Sequence, residues 1–332
     1  MTASSRKLSV AVVQGGPSTE AEVSRASAAG VAQALVAAGH RATRIELDAL
    51  VGESLRTGGY DVVFPVTHGA VGEDGSLQGL LEVLDLPYVG SDVLGSALAM
   101  HKRVARVLFG AAGLPIARGI VAPRGEARAA AERACREVGA RLVVKPSSHG
   151  SAIGVARLDE TAGIDDVAGA IDAVWAIDPY ALIEHFARGR EVTCGVLALR
   201  DPKALPPTEI VAPSDAFYTY EARYAPGRSV HDCPAKLPLH VTERVQRVAI
   251  DAHKALGCRD LSRVDFVVGD DGMPDAVTLL EVNTLPGMTP TSLYPEAAAA
   301  VGYSMPELCS ALVLHAFERG PTPRIAPRPL PK

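Results

Sequence analysis

The chain has 332 residues, 48% hydrophobic and 21% charged, with a formal net charge of −5, which excludes the basic footprint of a nucleic-acid binder or of a protein held on an anionic membrane. Aromatic residues make up only 5%, which argues against base stacking, and the five cysteines fall at no CxxC spacing, which argues against a zinc site or a disulfide framework. No run approaches about 18 uninterrupted apolar residues and the first residues hold no secretory apolar stretch, so a cytoplasmic protein of two or three domains is expected.

Leu8–Val13 is a β-branched apolar run ending at Gly15-Gly16-Pro17, which predicts a buried strand and a turn. Glu20–Ala38 has helical spacing and closes at Gly39. Arg41–Leu47 and Asp61–Val66 read as strands, Ser76–Leu84 as a helix and Leu86–Val89 as a further strand. This alternation implies βαβ units on a mainly parallel sheet. His101–Ala112 then reads as a helix stopped by Gly113 and Pro115, and Gly125–Gly139 as an Ala- and Arg-rich helix. Arg141–Val144 and Gly154–Leu158 read as short strands flanking a polar loop, Pro146–Ser151, which suggests a small α+β domain. Strand-like runs recur at Ala181–Glu184, Val192–Leu199, Ser262–Val268 and Val277–Val282, with helices at Val241–Leu256 and Pro306–Phe317. The final RGPTPRIAPRPLPK is rich in proline and arginine and is expected to be disordered.

The most informative segment is 263–283. Residues two apart on a strand share a face, so Arg263 and Asp265 point together, as do Glu281 and Asn283. If the strands are neighbours, three oxygen-bearing side chains and an arginine converge, a donor set suited to magnesium shared with phosphates. A second segment, Val143 to Ser151, puts Lys145 at a strand end before small hydroxyl residues and Gly150, which suits a phosphate although it is no Walker loop. A third, Gly15 to Ser24, follows the first strand and opens a helix. It lacks GxGxxG order, and Pro17 removes a backbone donor, so a nicotinamide site is disfavoured; Glu20 or Glu22 could instead hold an ammonium or serve the helix dipole. A fourth, Thr67-His68-Gly69 to Gly72-Glu73-Asp74-Gly75, sits at the carboxyl end of a parallel strand, where such sheets bind ligands.

Eight segments occur in one order: GGPSTEAEVS (15–24), HGAVGEDGSLQG (68–79), LPYVGSDVLGSALAMHK (86–102), VKPSSHGSAIG (144–154), LIEHFARGREVT (182–193), FYTYEARY (217–224), GCRDLSRVDF (257–266) and LEVNTLPGMTPTSLYP (280–295). With them the sequence resembles the D-alanine–D-alanine ligases of the ATP-grasp superfamily, from about Val10 to Leu312. The resemblance implies an N-terminal α/β domain (1–102), two α+β ATP-grasp subdomains (103–190 and 191–318) enclosing a nucleotide, and a disordered tail (319–332). It implies ATP-dependent ligation of two D-alanines through an acyl phosphate, for peptidoglycan precursors, by a cytoplasmic homodimer with no nucleic-acid or membrane partner. Lys102 and Lys145 should meet ATP phosphates, Glu184 and Phe186 bracket the adenine segment, and Glu191 bind the ribose. Asp265, Glu281 and Asn283 should hold two magnesium ions, with manganese as a substitute. Glu20, tied to Ser151 and Tyr224, should hold the first ammonium, near His68. Arg263 and the Gly287 N–H should stabilise an oxyanion, and Ser292, beside Leu293, the second carboxylate. FYTYEARYAPG should close over the site and exclude water.

The sequence departs from the family pattern at Arg223, where a lysine is usual, and at His149, Ala152 and His101. Arginine at 223 is bulkier and bidentate, which puts turnover and substrate choice in question. An alternative keeps the fold and changes the acceptor to D-lactate or another amino acid; Tyr224 speaks against the ester, because phenylalanine there accompanies D-lactate use in the family. A regulator without catalysis would need lost magnesium ligands, and all three are present.

Overall fold

The computed structural model describes residues 6–211, 230–269 and 276–322. Strand β1 (Ser9–Gln14) buries its apolar side chains on both faces, as expected where helices cover a parallel sheet on both sides. Helix α1 (Ala21–Ala37) follows, then β2 (Arg41–Glu46), α2 (Val51–Thr57) and β3 (Val62–Pro65). β1 lies in the middle, parallel to both neighbours, with Val10 opposite Ala42 and Val62. Val10 and Val12 pack toward α1; Ala11 and Val13 pack toward α2 and α3 (Ser76–Val83). The expected strand Leu86–Val89 shrinks to a bridge between Tyr88 and Val63. Pro87 has no N–H to give, and Gly90 turns the chain away at φ 104°, so pairing stops there.

Helices α4 (Val93–Met100) and α5 (Lys102–Ala111) lead to a four-stranded antiparallel sheet built from β4 (Gly119–Pro123), β5 (Leu142–Pro146), β6 (Ala156–Leu158) and β7 (Tyr180–His185), in the order β4-β7-β5-β6. Helices α6 (Ala127–Glu137) and α7 (Ile164–Trp175) cover one face. The sequence reading contains neither β4 nor α7, although Val167, Ile171, Val174 and Trp175 repeat at helical spacing and are all buried. β6 starts at Ala156 rather than Gly154, because the chain is still turning at Gly154 (φ 67°).

The third unit is a six-stranded antiparallel sheet of β8 (Arg190–Ala198), β9 (Lys203–Ala204), β10 (Thr208–Val211), β11 (Val230–Asp232), β12 (Asp260–Val268) and β13 (Val277–Asn283), ordered β11-β10-β8-β12-β13 with β9 on β8. Helix α8 (Leu239–Ala255) buries Val241, Val245, Ala249 and Ala252 against Val264, Phe266 and Val282. Truncating Phe266 to alanine would cost about 3–5 kcal/mol. Short α9 (Leu293–Ala299) and the last helix, α10 (Met305–Arg319), return the chain to α1, where Leu308, Leu312 and Val313 join the first core. Among the described residues no helix is long and apolar enough to cross a membrane. The α/β layer followed by two α+β units agrees with the expected fold class.

Candidate active site

β12 and β13 are neighbours, and their register sets Asp265 opposite Glu281 and Arg263 opposite Asn283. Val264 and Val282 between them are buried, so the four polar side chains stand on the other face. Arg263 donates to Asp265 through Nε and Nη2, both at 2.8 Å; Asn283 Nδ2 donates to Asp265 at 3.0 Å and Thr193 Oγ1 at 2.7 Å. Lys102 Nζ lies 3.1 Å from Glu281 and donates to the His149 carbonyl at 2.7 Å, bridging ribbon and phosphate loop. Each charge on this face therefore has a counter-charge.

That face forms one wall of a cavity of about 550 Å³. The opposite wall comes from β5, β6 and β7. Lys145, on β5, forms an ion pair with Glu184 on β7, which Arg106 of α5 also holds. The Glu184 side chain is only 8% exposed and faces these cations, and Glu184 lines the space together with residues 185–187. Phe186 is there, with Arg157 stacked 4.8 Å from its ring centroid. Arg157 also pairs with Glu191 at 3.2 Å.

Loops close the other end. Glu20, at the start of α1, is buried and accepts the Ser151 hydroxyl. Ser151 stands at φ 51°, in the left-handed region, which aims its side chain across the loop. Gly69 (φ 73°) lets its backbone pass Ser18 so closely that a Cβ would lie 2.9 Å from Ser18 Cβ. Buried His68 has no partner at Nε2. Burial holds its imidazole below the ordinary range, with Glu20 opposing and Arg263 reinforcing that shift, so the ring is neutral. Gly287 and Ser292 line the cavity together; a Cβ on Gly287 would sit 2.9 Å from Ser292 Oγ. Ser292 Oγ accepts the Thr289 N–H at 3.0 Å and shares a 2.7 Å hydrogen bond with the Thr289 hydroxyl.

Lys102, Lys145, Ser151, Glu184, Phe186, Glu191, Arg263, Asp265, Glu281, Gly287 and Ser292 thus line one space, and Glu20, Asn283 and His68 adjoin it through Ser151, Asp265 and Glu20. Tyr224, Arg223 and the FYTYEARYAPG loop lie outside the described residues. Three groups here had no role in the sequence reading. Arg106 and Arg157 show only as charges on a helix and a strand until Glu184 and Glu191 meet them. Glu73 stands inside a quoted motif. Its carboxyl accepts the Gly69 N–H at 3.0 Å, and burial pushes it up to about 8, with Glu20 and Glu281 adding to that and Lys102 opposing it.

Among the described residues no group of three His, Cys, Asp or Glu side chains is placed to hold a metal ion by itself. The oxygen donors of the ribbon are two carboxylates and an amide, which fits magnesium sharing its shell with phosphate oxygens better than a site made by protein alone. Lys102 and Lys145 fit the phosphates of a nucleotide.

The family model of the D-ala D-ala ligase C-terminus matches residues 108–314, and that of the N-terminus matches 48–91. The chain is 42% identical over 319 residues to the D-alanine–D-alanine ligase of Pelotomaculum thermopropionicum, covering 94% of this chain and 97% of that one. Its fold resembles the solved D-alanine–D-alanine ligase of Coxiella burnetii (TM-score 0.80, 30% identity, 94% of each chain). It also resembles the VanG D-Ala:D-Ser ligase of Enterococcus faecalis (TM-score 0.79, 28% identity, 94% of this chain and 100% of that one).

Proposed function

The chain belongs to the D-alanine–D-alanine ligase family, and on that footing we propose that it joins two D-alanines into D-alanyl-D-alanine at the expense of ATP, as a carboxylate–amine ligase of peptidoglycan precursor synthesis. The observation that carries this reading is the single cavity in which the Asp265–Glu281 ribbon faces Lys102 and Lys145, with Glu20–Ser151 on its wall and Gly287 beside Ser292. A carboxylate is a poor electrophile, and ATP supplies the phosphoryl group that makes it an acyl phosphate.

Each residue then has a task. Asp265, Glu281 and Asn283 would hold magnesium, which would offset charge on the phosphates. Lys102, Lys145 and Arg223 neutralise the transferred phosphoryl group. Glu191 takes the ribose hydroxyls, and the 184–186 segment takes the adenine. Glu20, fixed by Ser151 and by Tyr224, anchors the first ammonium, and neutral His68 stands beside that substrate. Ser292, flanked by Leu293, anchors the second carboxylate. Arg263 and the Gly287 N–H stabilise the oxyanion formed when the second amine attacks. The FYTYEARYAPG segment serves as the lid that keeps water from the acyl phosphate. The reaction takes place in the cytoplasm, where ATP is supplied, on a homodimer with the domain limits set out above.

The test is phosphate release from ATP across a panel of D- and L-amino acids, with the product weighed by mass spectrometry. D-alanine alone should suffice and yield the dipeptide. Release that needs D-lactate or a different second amino acid would replace D-alanine as the acceptor.

A further inference from the structure

The phosphate loop carries an imidazole with no task in the reaction above. His149 lines the cavity with its side chain 34% exposed, yet its Nδ1 is buried and has no hydrogen-bond partner. Asp178 Oδ2 lies 3.6 Å from that atom. Asp178 follows α7, and its side chain is 1% exposed. It accepts the Ser148 N–H at 2.9 Å, the Ser148 hydroxyl at 2.6 Å and the Tyr180 N–H at 2.8 Å. Burial alone would push this carboxyl up; the bonds from Ser148 and Tyr180 outweigh it and hold the group below the usual carboxylate range. Asp178 is therefore a fixed negative charge behind the ring.

Asp178 places negative charge on the Nδ1 side of the ring, and ring geometry turns Nε2 to the opposite edge of the imidazole. Other charges surround the loop. Lys102 donates to the His149 carbonyl and pairs with Glu281. Arg103 stacks on Tyr180 at 4.3 Å. Glu20 Oε2 would lie 3.6 Å from a Cβ on Gly150. Lys145 shares Glu184 with Arg106 on the same cavity, so the His149 imidazole would add to the cations already facing a polyphosphate.

We infer that His149, backed by Asp178, is an added phosphate-binding cation of this site, charged on nucleotide arrival and donating from Nε2 to a phosphate oxygen. The inference rests on ATP being the substrate. The proton comes from solvent and returns to it when the phosphates leave, and no covalent bond changes. A charge-assisted bond of this kind weakens as solvent protons become scarcer.

The experiment measures binding. Affinity for a non-hydrolysable ATP analogue with magnesium is followed by calorimetry from about pH 6 to 8 in buffers of different ionisation enthalpy. The native protein should take up protons on binding and lose about tenfold in affinity across the window. His149→Gln should bind about tenfold more weakly at the acid end, with both effects gone. Should that variant fail to fold, the His149 ring in the native protein, followed by NMR, should titrate at higher pH with the analogue bound. Flat native affinity without proton uptake, full retention of both effects in His149→Gln, or an unmoved ring titration would each overturn the inference. D-alanine-dependent phosphate release by the native protein tests the ligase reading separately.

Discussion

One wall of the cavity is made by strands and the other end by loops, and the two hold their charges in different ways. On β12 and β13 the ladder sets Asp265 opposite Glu281, so backbone pairing fixes the geometry whatever the side chains do. At the loop end the Glu20–Ser151 bond joins residues 131 apart in sequence, and Ser151, Ala152 and Val71 all stand at positive φ. Strand-borne groups can thus be altered without moving their neighbours, whereas loop-borne groups also shape the loops. Substitutions on the first should remove chemistry and spare the fold. Substitutions on the second should change binding and stability together.

The largest effect should come from the strand side. Glu281→Gln keeps the ladder and removes a charge that faces Lys102 and is proposed to hold the metal. Dipeptide formation should fall about a hundredfold or more, with the melting temperature nearly unchanged. Full activity in this variant would remove the metal assignment, and a large drop in melting temperature would contradict the contrast with the loops.

Next comes a loop pair that sorts the two substrates. Glu20→Gln takes the charge from a buried acceptor, worth roughly 1.5–3 kcal/mol, so the apparent constant for the first D-alanine should rise about tenfold or more. Ser292→Ala removes a hydroxyl proposed to donate to the second substrate's carboxylate, a bond to a charged group worth roughly 1.5 kcal/mol at the low end, and the second constant should rise about tenfold. Initial-rate kinetics over D-alanine concentration separates them; the opposite assignment of the two constants would reject the placement.

The same contrast explains what could be read beforehand. Arg263–Asp265 and Glu281–Asn283 were legible because a strand has a period of two, and polar residues at alternate positions interrupt an apolar run. The glycines and Lys145 of the phosphate loop were legible as residue types. The pairing of β10 with β8 and of β11 with β10 was not, because these strands of four and three residues are defined by a ladder with distant residues rather than by their own pattern. Helix α7 could have been found from its apolar spacing; Leu86–Val89 was over-read because its apolar content hid the effect of Pro87 and Gly90. Glu73 could not be assigned from sequence, since its surroundings come from Glu20, Lys102 and Glu281, which lie far away along the chain.

Glu73 gives the third prediction. Its carboxyl is raised from 4.5 to about 8 in the folded protein, with burial the leading cause. Between those values the folded chain holds a proton that the unfolded chain has released, so stability should fall as pH rises through that window. Glu73→Gln removes the ionisation. At the alkaline end of the window the variant should melt roughly 2–5 °C above the native protein, and at the acid end the two should coincide. Thermal melts at both ends decide it; a gap of equal size at both would mean that ionisation of Glu73 is not the cause.

The smallest effect should come from the strand side again, at the nucleotide end. Arg157 and Glu191 form a pair whose side chains are 36% and 30% exposed, and water screens such pairs to about 0–1 kcal/mol. Stacking of Arg157 on Phe186 adds about 0.5–1 kcal/mol at an exposed site. Arg157→Ala should therefore raise the apparent constant for ATP only about two- to fivefold and leave the maximal rate unchanged, because the residue orients Glu191 and touches no reacting atom. The two contributions respond differently to salt: ionic strength weakens the ion pair and leaves most of the stacking. Arg157→Lys keeps the charge but loses the planar stack, so it should recover the salt-sensitive part alone. An ATP constant that rises a hundredfold in Arg157→Ala would show that Arg157 meets the nucleotide directly. No change at all would mean that Glu191 is held in place by other contacts.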